Sequence, residues 1–492
     1  MNRSTSKWLI LATVIVGTFL GRLDQTIVNL ALPKIINDFG ITVSSAGWIA
    51  TAYILANAVF VPVWGKLGDT IGRKKVYVLG FSIFILGSVL AGLSWNLGSM
   101  LVFRIIQAIA SSADYPTAMA ILAVTFKQGR ERAQALGIWS GSFAAAAVFG
   151  PLIGGPLIDN FGWRSVFLVN LPVGIIGLLM ALAFIHESTS ERKTVSFDWW
   201  GAISLGASLS ALVLVLDRGL DWGWLSWGSM LCYLAVIVFA AIFYIIELNH
   251  TEPIVDLKFF RIPVFVNALG NNFIVFMGLM GSMFLLPVFA QTFLGYNATQ
   301  TGYLFMPMAF GMIGAAPLGG ALVGRVRASY VIFASTLVAA LGLYLFSFID
   351  ARSTAIDVMI PLLVMAFGLG FGMAQRTSII AAVVPAHEMG SASAVLALAR
   401  NIAGAFGIAL FGTILQDTVK ANVVSLAHNS VIRSLDPAVL QQGIALIELK
   451  AQVSAYGTVF LVSSIIVGVG AFFALFIRVK NESFSKENIM IE

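Results

Sequence analysis

The chain alternates long apolar stretches with short polar ones along almost its whole length. Crossing the hydrocarbon core of a bilayer, which is about 30 Å thick, takes about 20 apolar residues in a helix. The apolar stretches are long enough for this, and the polar stretches between them are mostly short loops. The pattern therefore predicts fourteen membrane-spanning helices, at roughly 8–31, 45–64, 76–95, 98–125, 133–157, 165–186, 199–218, 225–247, 262–292, 299–323, 328–349, 358–384, 390–416 and 452–478.

The lysines and arginines are distributed unevenly between the two sides of this arrangement. When the loops are assigned alternately to the two faces of the membrane, most of the 29 lysines and arginines fall on the face that holds both termini. Cytoplasmic loops of membrane proteins carry such an excess of positive charge. Removing one helix from the count would scatter the asymmetry. We therefore expect fourteen helices in the cell membrane, with both termini in the cytoplasm.

Composition supports a membrane protein and argues against several other classes. The chain is 59% hydrophobic and 11% charged, with a mean hydropathy of +0.93, and lipid is the solvent that suits such a chain. The single cysteine, Cys232, lies in an apolar stretch, and the four histidines are not at metal-ligand spacing. We therefore expect no disulfide, no metal site and no cofactor. Because the loop cations account for the net charge of +6, we also expect no nucleic-acid partner.

A polar turn between the second and third predicted helices holds a distinctive motif. Residues 65–75 read GKLGDTIGRKK. The three glycines let two helix ends approach closely, and the carboxylate and the cations that follow it can pair with neighbouring helix ends. The stretch resembles the loop between the second and third helices of the major facilitator superfamily, although Thr70 stands where many members carry a cation. The alternative is an ordinary charged loop. The resemblance implies a gating role for Gly65, Asp69, Gly72 and Arg73.

Further stretches resemble the fourteen-helix drug:proton antiporters, a branch of that superfamily. Residues 23–33 (LDQTIVNLALP) resemble the signature of their first helix. Arg104 and Gln107 match the fourth-helix motif, with alanine in place of the glycine that follows. Two tryptophan-containing stretches, 198–201 and 221–224, bracket an additional helix pair as in that branch. Twelve-helix relatives lack this pair, so the count of fourteen identifies the branch.

The fifth predicted helix resembles the antiporter motif of the same branch. Residues 150–156 read GPLIGGP, with another glycine upstream at position 141. Small residues on nearly one face let two helices meet backbone to backbone, and prolines permit a bend. The resemblance implies a rocking contact associated with exchange, whereas the alternative is close packing without motion. The candidate hinge residues are Gly141, Gly150, Pro151, Gly154 and Gly155.

The resemblance also implies a domain organisation. We expect an all-α integral membrane protein with the major facilitator fold, in which two six-helix halves are joined by an inserted helix pair to give 14 transmembrane helices. Residues 1–190 then form the N-terminal six-helix bundle and residues 191–257 the inserted two-helix linker. Residues 258–492 form the C-terminal six-helix bundle, with an extracellular loop near 417–451.

Charged residues within the predicted helices are the leading candidates for a functional site, because charge inside a membrane is costly. Asp24 and Arg104 lie at similar depth on helices that are neighbours in the fold that the resemblance implies, so we expect them to pair; the alternative is that this pair is purely structural. Arg104, Gln107, Ser111 and Asp114 follow one polar stripe of the fourth helix, which must face the bundle interior. As the proton-binding group, Asp24 is the first candidate and Asp114 the second. The full set of candidate coupling residues is Asp24, Arg104, Asp114, Gln107, Arg22, Arg376 and Arg400.

Asp114 and Arg376 are expected to form a second pair. Counted at about 1.5 Å per helical residue, both lie in the inner half of the membrane on helices that face each other in this fold. Opposite charges at one depth could close the cytoplasmic side when the protein opens outward. The alternative is that Arg376 reaches the inner headgroups and Asp114 meets water.

Taken together, the resemblance and the buried charges favour a proton-coupled secondary transporter that exports small amphiphilic compounds by alternating access. The expected partners are a small-molecule substrate, protons and the lipid bilayer, with the protein a monomer. Because arginines exceed carboxylates within the helices, a transporter of an organic anion or a lipid-like metabolite is the alternative. An enzyme or sensor would need a nucleophile–base pair, a metal cluster or a soluble signalling domain, none of which the sequence indicates.

Overall fold

Every regular element that the structure describes is helical. The structure is a computed structural model, and it describes residues 3–126, 130–187, 198–250, 253–255, 257–322, 325–383, 389–429 and 437–477. The α-helices are α1 (Arg3–Phe39), α2 (Val43–Ile71), α3 (Arg73–Gly92), α4 (Leu97–Ser111), α5 (Asp114–Thr125), α6 (Arg130–Phe161), α7 (Ser165–Leu168), α8 (Asn170–Phe184), α9 (Trp199–Trp222), α10 (Trp227–Asn249), α11 (Pro263–Thr292), α12 (Ala298–Leu304), α13 (Met306–Ala321), α14 (Ala328–Phe346), α15 (Ala355–Val383), α16 (Met389–His428) and α17 (Pro437–Leu475). A 3₁₀ turn, Leu257–Arg261, precedes α11.

The number of described helices is compatible with the predicted membrane crossings. Twelve helical segments are long and apolar enough to cross a membrane. Two further crossings correspond to the predicted fourth and fifth helices. One is the α4–α5 segment, which is interrupted near its middle, and the other is α6, which is rich in glycine and alanine. The expectation of an all-α membrane protein is therefore confirmed, with about twelve to fourteen crossings among the described residues.

Three of the crossings are broken where the sequence predicts one continuous helix. The fourth breaks at Ser112 and Ala113, the sixth at Val169 and the tenth at Phe305. At the first of these breaks the amide of Ala113 donates to the carbonyl of Ala110, which tightens the helix locally. The break separates Asp114 from the stripe that contains Arg104 and Gln107. Asp114 consequently faces different neighbours from Arg104 and Gln107.

Two loop predictions are corrected by the structure. The predicted turn at residues 65–75 is reduced to Gly72, because α2 continues to Ile71 and α3 begins at Arg73. Gly72 has φ +113°, which only glycine adopts without strain. The predicted extracellular loop near 417–451 is largely helical, since α16 continues to His428 and α17 begins at Pro437. The side chain of Asn422 donates hydrogen bonds to the Ala451 carbonyl and to Ser454, so the two extensions pack together.

The helices pack as two bundles with the inserted pair against their seam. Helices α1–α8 pack mainly among themselves, as do α11–α17, and the bundles meet where α2 contacts α16, α6 contacts α12 and α1 contacts α11. Helix α9 packs on both α2 and α16, through an apolar cluster of Leu55, Val213 and Ala405. Helix α10 packs on α9 and exposes large apolar side chains such as Trp227 and Ile237, as a lipid-facing helix does.

Candidate functional site

Asp24 and Arg104 form the buried ion pair that the sequence predicts. Nη1 of Arg104 on α4 donates to Oδ2 of Asp24 on α1. The other carboxylate oxygen accepts from Nε2 of Gln107 and Nδ2 of Asn170, each at 3.0 Å. Asp24 is 0% exposed and Arg104 is 1% exposed. Three helices, α1, α4 and α8, are thus joined through one carboxylate.

Aromatic and polar groups surround this network and hold the guanidinium in place. The Arg104 guanidinium lies 4.0 Å from the ring centroid of Tyr53, and Gln107 Oε1 accepts a second bond from it at 2.6 Å. Asn170 also donates to Ser88, which in turn donates to the carbonyl of Phe167. Such a network, in which each group orients the next, favours one fixed arrangement.

A large cavity lies between the two bundles and separates the predicted site residues into two groups. It has a volume of about 620 Å³ and is lined by both bundles. Arg22, Asp114, Arg376 and Arg400 line it, whereas Asp24, Arg104 and Gln107 do not. The N-terminal bundle supplies most of the remaining wall, and apolar residues of the C-terminal bundle such as Phe276 and Met280 also contribute. The cavity can hold a drug-sized molecule beside charged groups.

Asp114 is the carboxylate that faces this cavity. It opens α5, and its Oδ2 accepts a hydrogen bond of 2.7 Å from Thr18 on α1. Thr18 accepts in turn from Nε1 of Trp139 on α6 at 2.9 Å. The second oxygen, Oδ1, is buried and has no hydrogen-bond partner within the described residues. Arg22 lies near enough to attract the carboxylate electrostatically.

The two arginines of the C-terminal bundle that line the cavity, Arg376 and Arg400, are held by neutral groups. Nε of Arg376 donates to Asn271 at 3.0 Å, and Nη2 donates to Thr336 at 2.9 Å and to Ser335 at 3.4 Å. Nε of Arg400 donates to Asn272 at 3.4 Å, and its guanidinium lies 4.9 Å from the ring centroid of Phe276.

The expected pair of Asp114 and Arg376 is therefore not formed in this structure. Both residues line the same cavity, as their predicted depth implied. Asp114 is bonded to Thr18, however, and the Arg376 guanidinium is turned toward α11 and α14, away from a carboxylate. Any pairing between them belongs to another conformation.

The residues around Gly72 link α2 and α3 to the end of the N-terminal bundle. The Glu187 carboxylate accepts from the amides of Lys74 and Lys75 at 3.0 and 3.3 Å, and therefore caps the first turn of α3. A side chain at Gly72 would collide with this carboxylate. Nη1 of Arg73 approaches the carbonyl of Ala120 at 3.5 Å. The surroundings of Gly65 and the side chain of Asp69 lie outside the described part of the chain.

Glycines of α6 face two different partners. At Gly150 and Gly154 an added methyl group would overlap Thr26 and Ile27 of α1, which shows how closely the two helices approach. At Gly155 it would overlap the backbone of Thr299 and lie 2.7 Å from the carbonyl of Ala298 on α12. The carbonyl of Pro151 lies against Gly302 of α12. Gly141 also lies within α6. The motif thus contacts both bundles.

A cluster of hydrogen bonds joins the bundles at the face opposite the Gly72 turn. The Asp159 carboxylate on α6 accepts from the amides of Ala298 and Thr299 at 3.1 and 2.8 Å, and from the Thr299 hydroxyl at 2.7 Å. Gln291 of α11 donates to the carbonyl of Leu30 on α1 at 2.9 Å. The bundles are therefore closed against each other at this face.

Several of these residues were not singled out from the sequence. Thr18 and Asn170 are polar residues within apolar helices, and they gave too weak a signal beside the charges. Asp159 follows the glycine motif and reads as a loop carboxylate. The adjacent Asn271 and Asn272 are a stronger signal, since two amides within a membrane helix need partners.

Sequence comparison assigns the chain to a family. The sequence model of the Major Facilitator Superfamily matches residues 14–408. The chain belongs to the major facilitator superfamily. It is 32% identical over 423 residues to multidrug resistance protein Stp of Mycobacterium tuberculosis, covering 86% of this chain and 78% of that one. It is 31% identical to the multidrug transporter protein MdtP of Bacillus subtilis (84% and 76% covered) and 29% identical to the riboflavin transporter RibZ of Clostridioides difficile (86% and 91% covered).

Solved structures agree on the fold. A bacterial homologue of the human lysosomal transporter Spinster superposes with a TM-score of 0.68 at 16% identity, covering 95% of this chain and 96% of that chain. A bacterial homologue of the drug peptide transporters PepT1 and PepT2 gives a TM-score of 0.62 at 14% identity, covering 95% and 97%. The expected major facilitator fold is confirmed, and this superfamily member is a multi-pass membrane transporter rather than an enzyme.

Proposed function

We propose that the protein exports small amphiphilic compounds from the cell in exchange for protons, by alternating access. The observation that carries this proposal is the cavity between the bundles, which is sealed at the Asp159 face and contains the carboxylate of Asp114. The names of the relatives Stp and MdtP, which are multidrug resistance and multidrug transporter proteins, support efflux as the direction.

The orientation follows from the loop charges. With the face that carries the Gly72 turn in the cytoplasm, both termini are cytoplasmic and the Asp159 face is outside the cell. The closed outer face then leaves the cavity accessible from the cytoplasm. Residues 1–190 and 258–492 are the two bundles that rock, and residues 191–257 form the linker between them. We propose that the protein works as a monomer in the cell membrane.

Geometry favours Asp114 over Asp24 as the proton-binding group. Asp24 accepts bonds from an arginine and two amides and does not line the cavity, so protonating it would break an ion pair away from the substrate. Asp114 faces the cavity and has a carboxylate oxygen without a hydrogen bond. In this scheme the Asp24 network fixes the geometry of α1, α4 and α8, and Asp114 binds and releases the proton.

The test is substrate export by inverted membrane vesicles energised with a proton gradient. Asp114→Asn should abolish proton-driven accumulation of a fluorescent substrate, because an asparagine amide does not bind and release a proton in this pH range. Asp350→Asn, on an exposed loop, is the matched control and should accumulate substrate normally. If Asp114→Asn retains accumulation and Asp24→Asn loses it, Asp24 is the proton site. A wild-type protein without a proton-dependent gradient would contradict the proposal.

Uptake or facilitated diffusion of an organic anion is the second candidate, and the arginines of the C-terminal bundle favour it. The two candidates predict opposite effects of a protonophore on intact cells. Cellular accumulation of the substrate should rise if the protein is an exporter. It should fall or stay constant if the protein imports the anion.

A further inference from the structure

We infer that the C-terminal bundle contains a binding site for an anionic group of the substrate, formed by Arg376, Arg400 and Asn272. This inference rests on the proposed function, because the anion would be carried by an exported amphiphile. The site lies on α11, α15 and α16 and opens into the cavity between the bundles. Its ligand is an aromatic or otherwise apolar molecule that bears a carboxylate or a comparable anionic group.

The first argument is that the charge of Arg376 is buried without a counter-ion among the described residues. The side chain is 7% exposed, and the groups that accept its hydrogen bonds are the Asn271 amide, two hydroxyls and a backbone carbonyl. These groups solvate the guanidinium but do not neutralise it. A buried charge is normally paired, so a site that keeps one unpaired is suited to an anion that arrives from solution.

The second argument is that a like charge lies beside it. The interaction between Arg400 and Arg376 is repulsive, and both residues line the same cavity. Arg22, on the N-terminal bundle, also lines the cavity and is attracted to Asp114. Within the described lining, one carboxylate therefore faces three arginines. The excess positive charge belongs to the C-terminal side.

The third argument is the unsatisfied donor of Asn272. Its Oδ1 accepts from Arg400, which fixes Nδ2 as the free end of the amide. That nitrogen is buried and has no hydrogen-bond partner within the described residues. A buried donor without a partner is costly, and a carboxylate oxygen would satisfy it. Phe276, one turn further along α11, carries the Arg400 guanidinium on its ring and provides an apolar surface for the rest of the ligand.

Adjacent asparagines on α11 are the decisive sequence feature. Asn271 accepts from Arg376, and Asn272 accepts from Arg400. An aspartate at either position would supply the missing counter-ion from within the protein. Because both positions carry neutral amides, the two arginines are oriented while their charge remains available to a ligand.

The experiment compares two dyes on one xanthene frame, anionic fluorescein and cationic rhodamine 123. Binding to the purified full chain in phosphatidylcholine nanodiscs is measured by fluorescence anisotropy. We expect wild type to bind fluorescein more tightly. Arg376→Gln and Arg400→Gln should each weaken fluorescein binding about ten- to hundredfold, as the loss of charge-assisted hydrogen bonds predicts, and leave rhodamine 123 binding unchanged or tighter.

Two further variants keep the test decisive if a glutamine variant is unstable. Arg376→Lys retains the charge and should retain most of the preference for fluorescein. Asn272→Asp provides an internal counter-ion and should reverse the preference toward rhodamine 123. Asn57→Asp is the matched control, because it makes the same chemical change in the N-terminal wall of the same cavity. Its effect on the preference should be smaller.

Several outcomes would overturn the inference. They are equal weakening of both dyes in the arginine variants, tighter binding of rhodamine 123 by wild type, and failure of wild type to bind fluorescein. Suppression of fluorescein binding by phosphatidylglycerol in wild type, but not in the arginine variants, would assign the site to a lipid headgroup instead. Binding is measured without a proton gradient, so an anion preference without proton-driven transport would refute the proposed export and leave the site standing.

Discussion

Replacing Asp24 with asparagine removes the carboxylate charge that faces Arg104 while keeping the size of the side chain. Arg104 is 1% exposed, so its guanidinium has little solvent to compensate it. Breaking a buried ion pair by removing one partner costs roughly 3–5 kcal/mol. The entropy of unfolding scales with chain length, so for 492 residues about 1 kcal/mol corresponds to about 1 °C in Tm. We therefore expect Asp24→Asn to lower Tm by about 3–5 °C.

A double-mutant cycle separates the pair from the packing around it. Arg104→Gln leaves an uncompensated carboxylate and should lower the free energy of unfolding by a similar amount. The double variant carries two neutral amides, which can hydrogen-bond to each other and to Gln107, so its loss should be smaller than the sum of the single losses by about 2 kcal/mol or more. Arg104→Lys, which keeps the charge but loses the stacking on Tyr53, is the control for packing.

The assay is thermal unfolding of the purified protein in one detergent, followed by size-exclusion chromatography of the soluble fraction. Transport is measured with the same variants in inverted membrane vesicles, so that loss of folding and loss of coupling can be told apart. The reasoning is refuted if the losses of unfolding free energy in the two single variants add up to the loss in the double variant within about 0.5 kcal/mol, because independent sites behave in that way. The conclusion would then be that Asp24 and Arg104 contribute separately.

The remaining predictions concern gating and topology. Gly155→Leu should slow transport strongly at normal expression, because the added side chain overlaps α12 where the bundles close; wild-type turnover would show that this contact is dispensable. Asp159→Ala removes three hydrogen bonds across the closed face and should favour its opening by about 2 kcal/mol, seen as a longer distance between spin labels on α6 and α12; an unchanged distance would contradict this. Asp69→Asn should impair turnover while the protein stays folded and inserted, and normal transport would remove the gating role. Reporter fusions at Glu191 and His428 should read cytoplasmic and extracellular; the same side for both would overturn the topology.

Much of the fold could be predicted because hydrophobic length is a strong signal in a membrane protein. The bounds of α9 and α10 lie close to the predicted inserted pair. The break between α4 and α5 was missed although Pro116 signals it, because proline has no amide to donate to the Ser112 carbonyl and its ring crowds that carbonyl. The length of α16 was underestimated for a different reason: its end, near His428, is polar, and hydropathy marks where a membrane ends but not where a helix ends.

The charged residues of the site could be predicted from the sequence, but only some of their contacts could. The ion pair of Asp24 and Arg104 followed from matched depth, which is a one-dimensional property of the sequence, together with the helix adjacency that the family resemblance implies. The contacts of Arg376 could not be predicted in this way, because depth in the membrane does not give the direction in which a side chain turns. Arg376 is turned toward neutral partners on α11 and α14, where Asn271 and Thr336 each accept from it. Polar residues that hold charges are individually common, and only their convergence in three dimensions identifies them.

The position of α9 has a consequence for how a lipophilic compound reaches the cavity. Helix α9 covers the flank where α2 meets α16, and Val213 fills that seam between Leu55 and Ala405. A molecule dissolved in a leaflet therefore has no lateral path through this flank. The other contact between the bundles, where α6 meets α12, has no inserted helix over it in the described part of the chain. The inserted pair thus restricts the lateral loading of lipid-soluble compounds at one of the two flanks only.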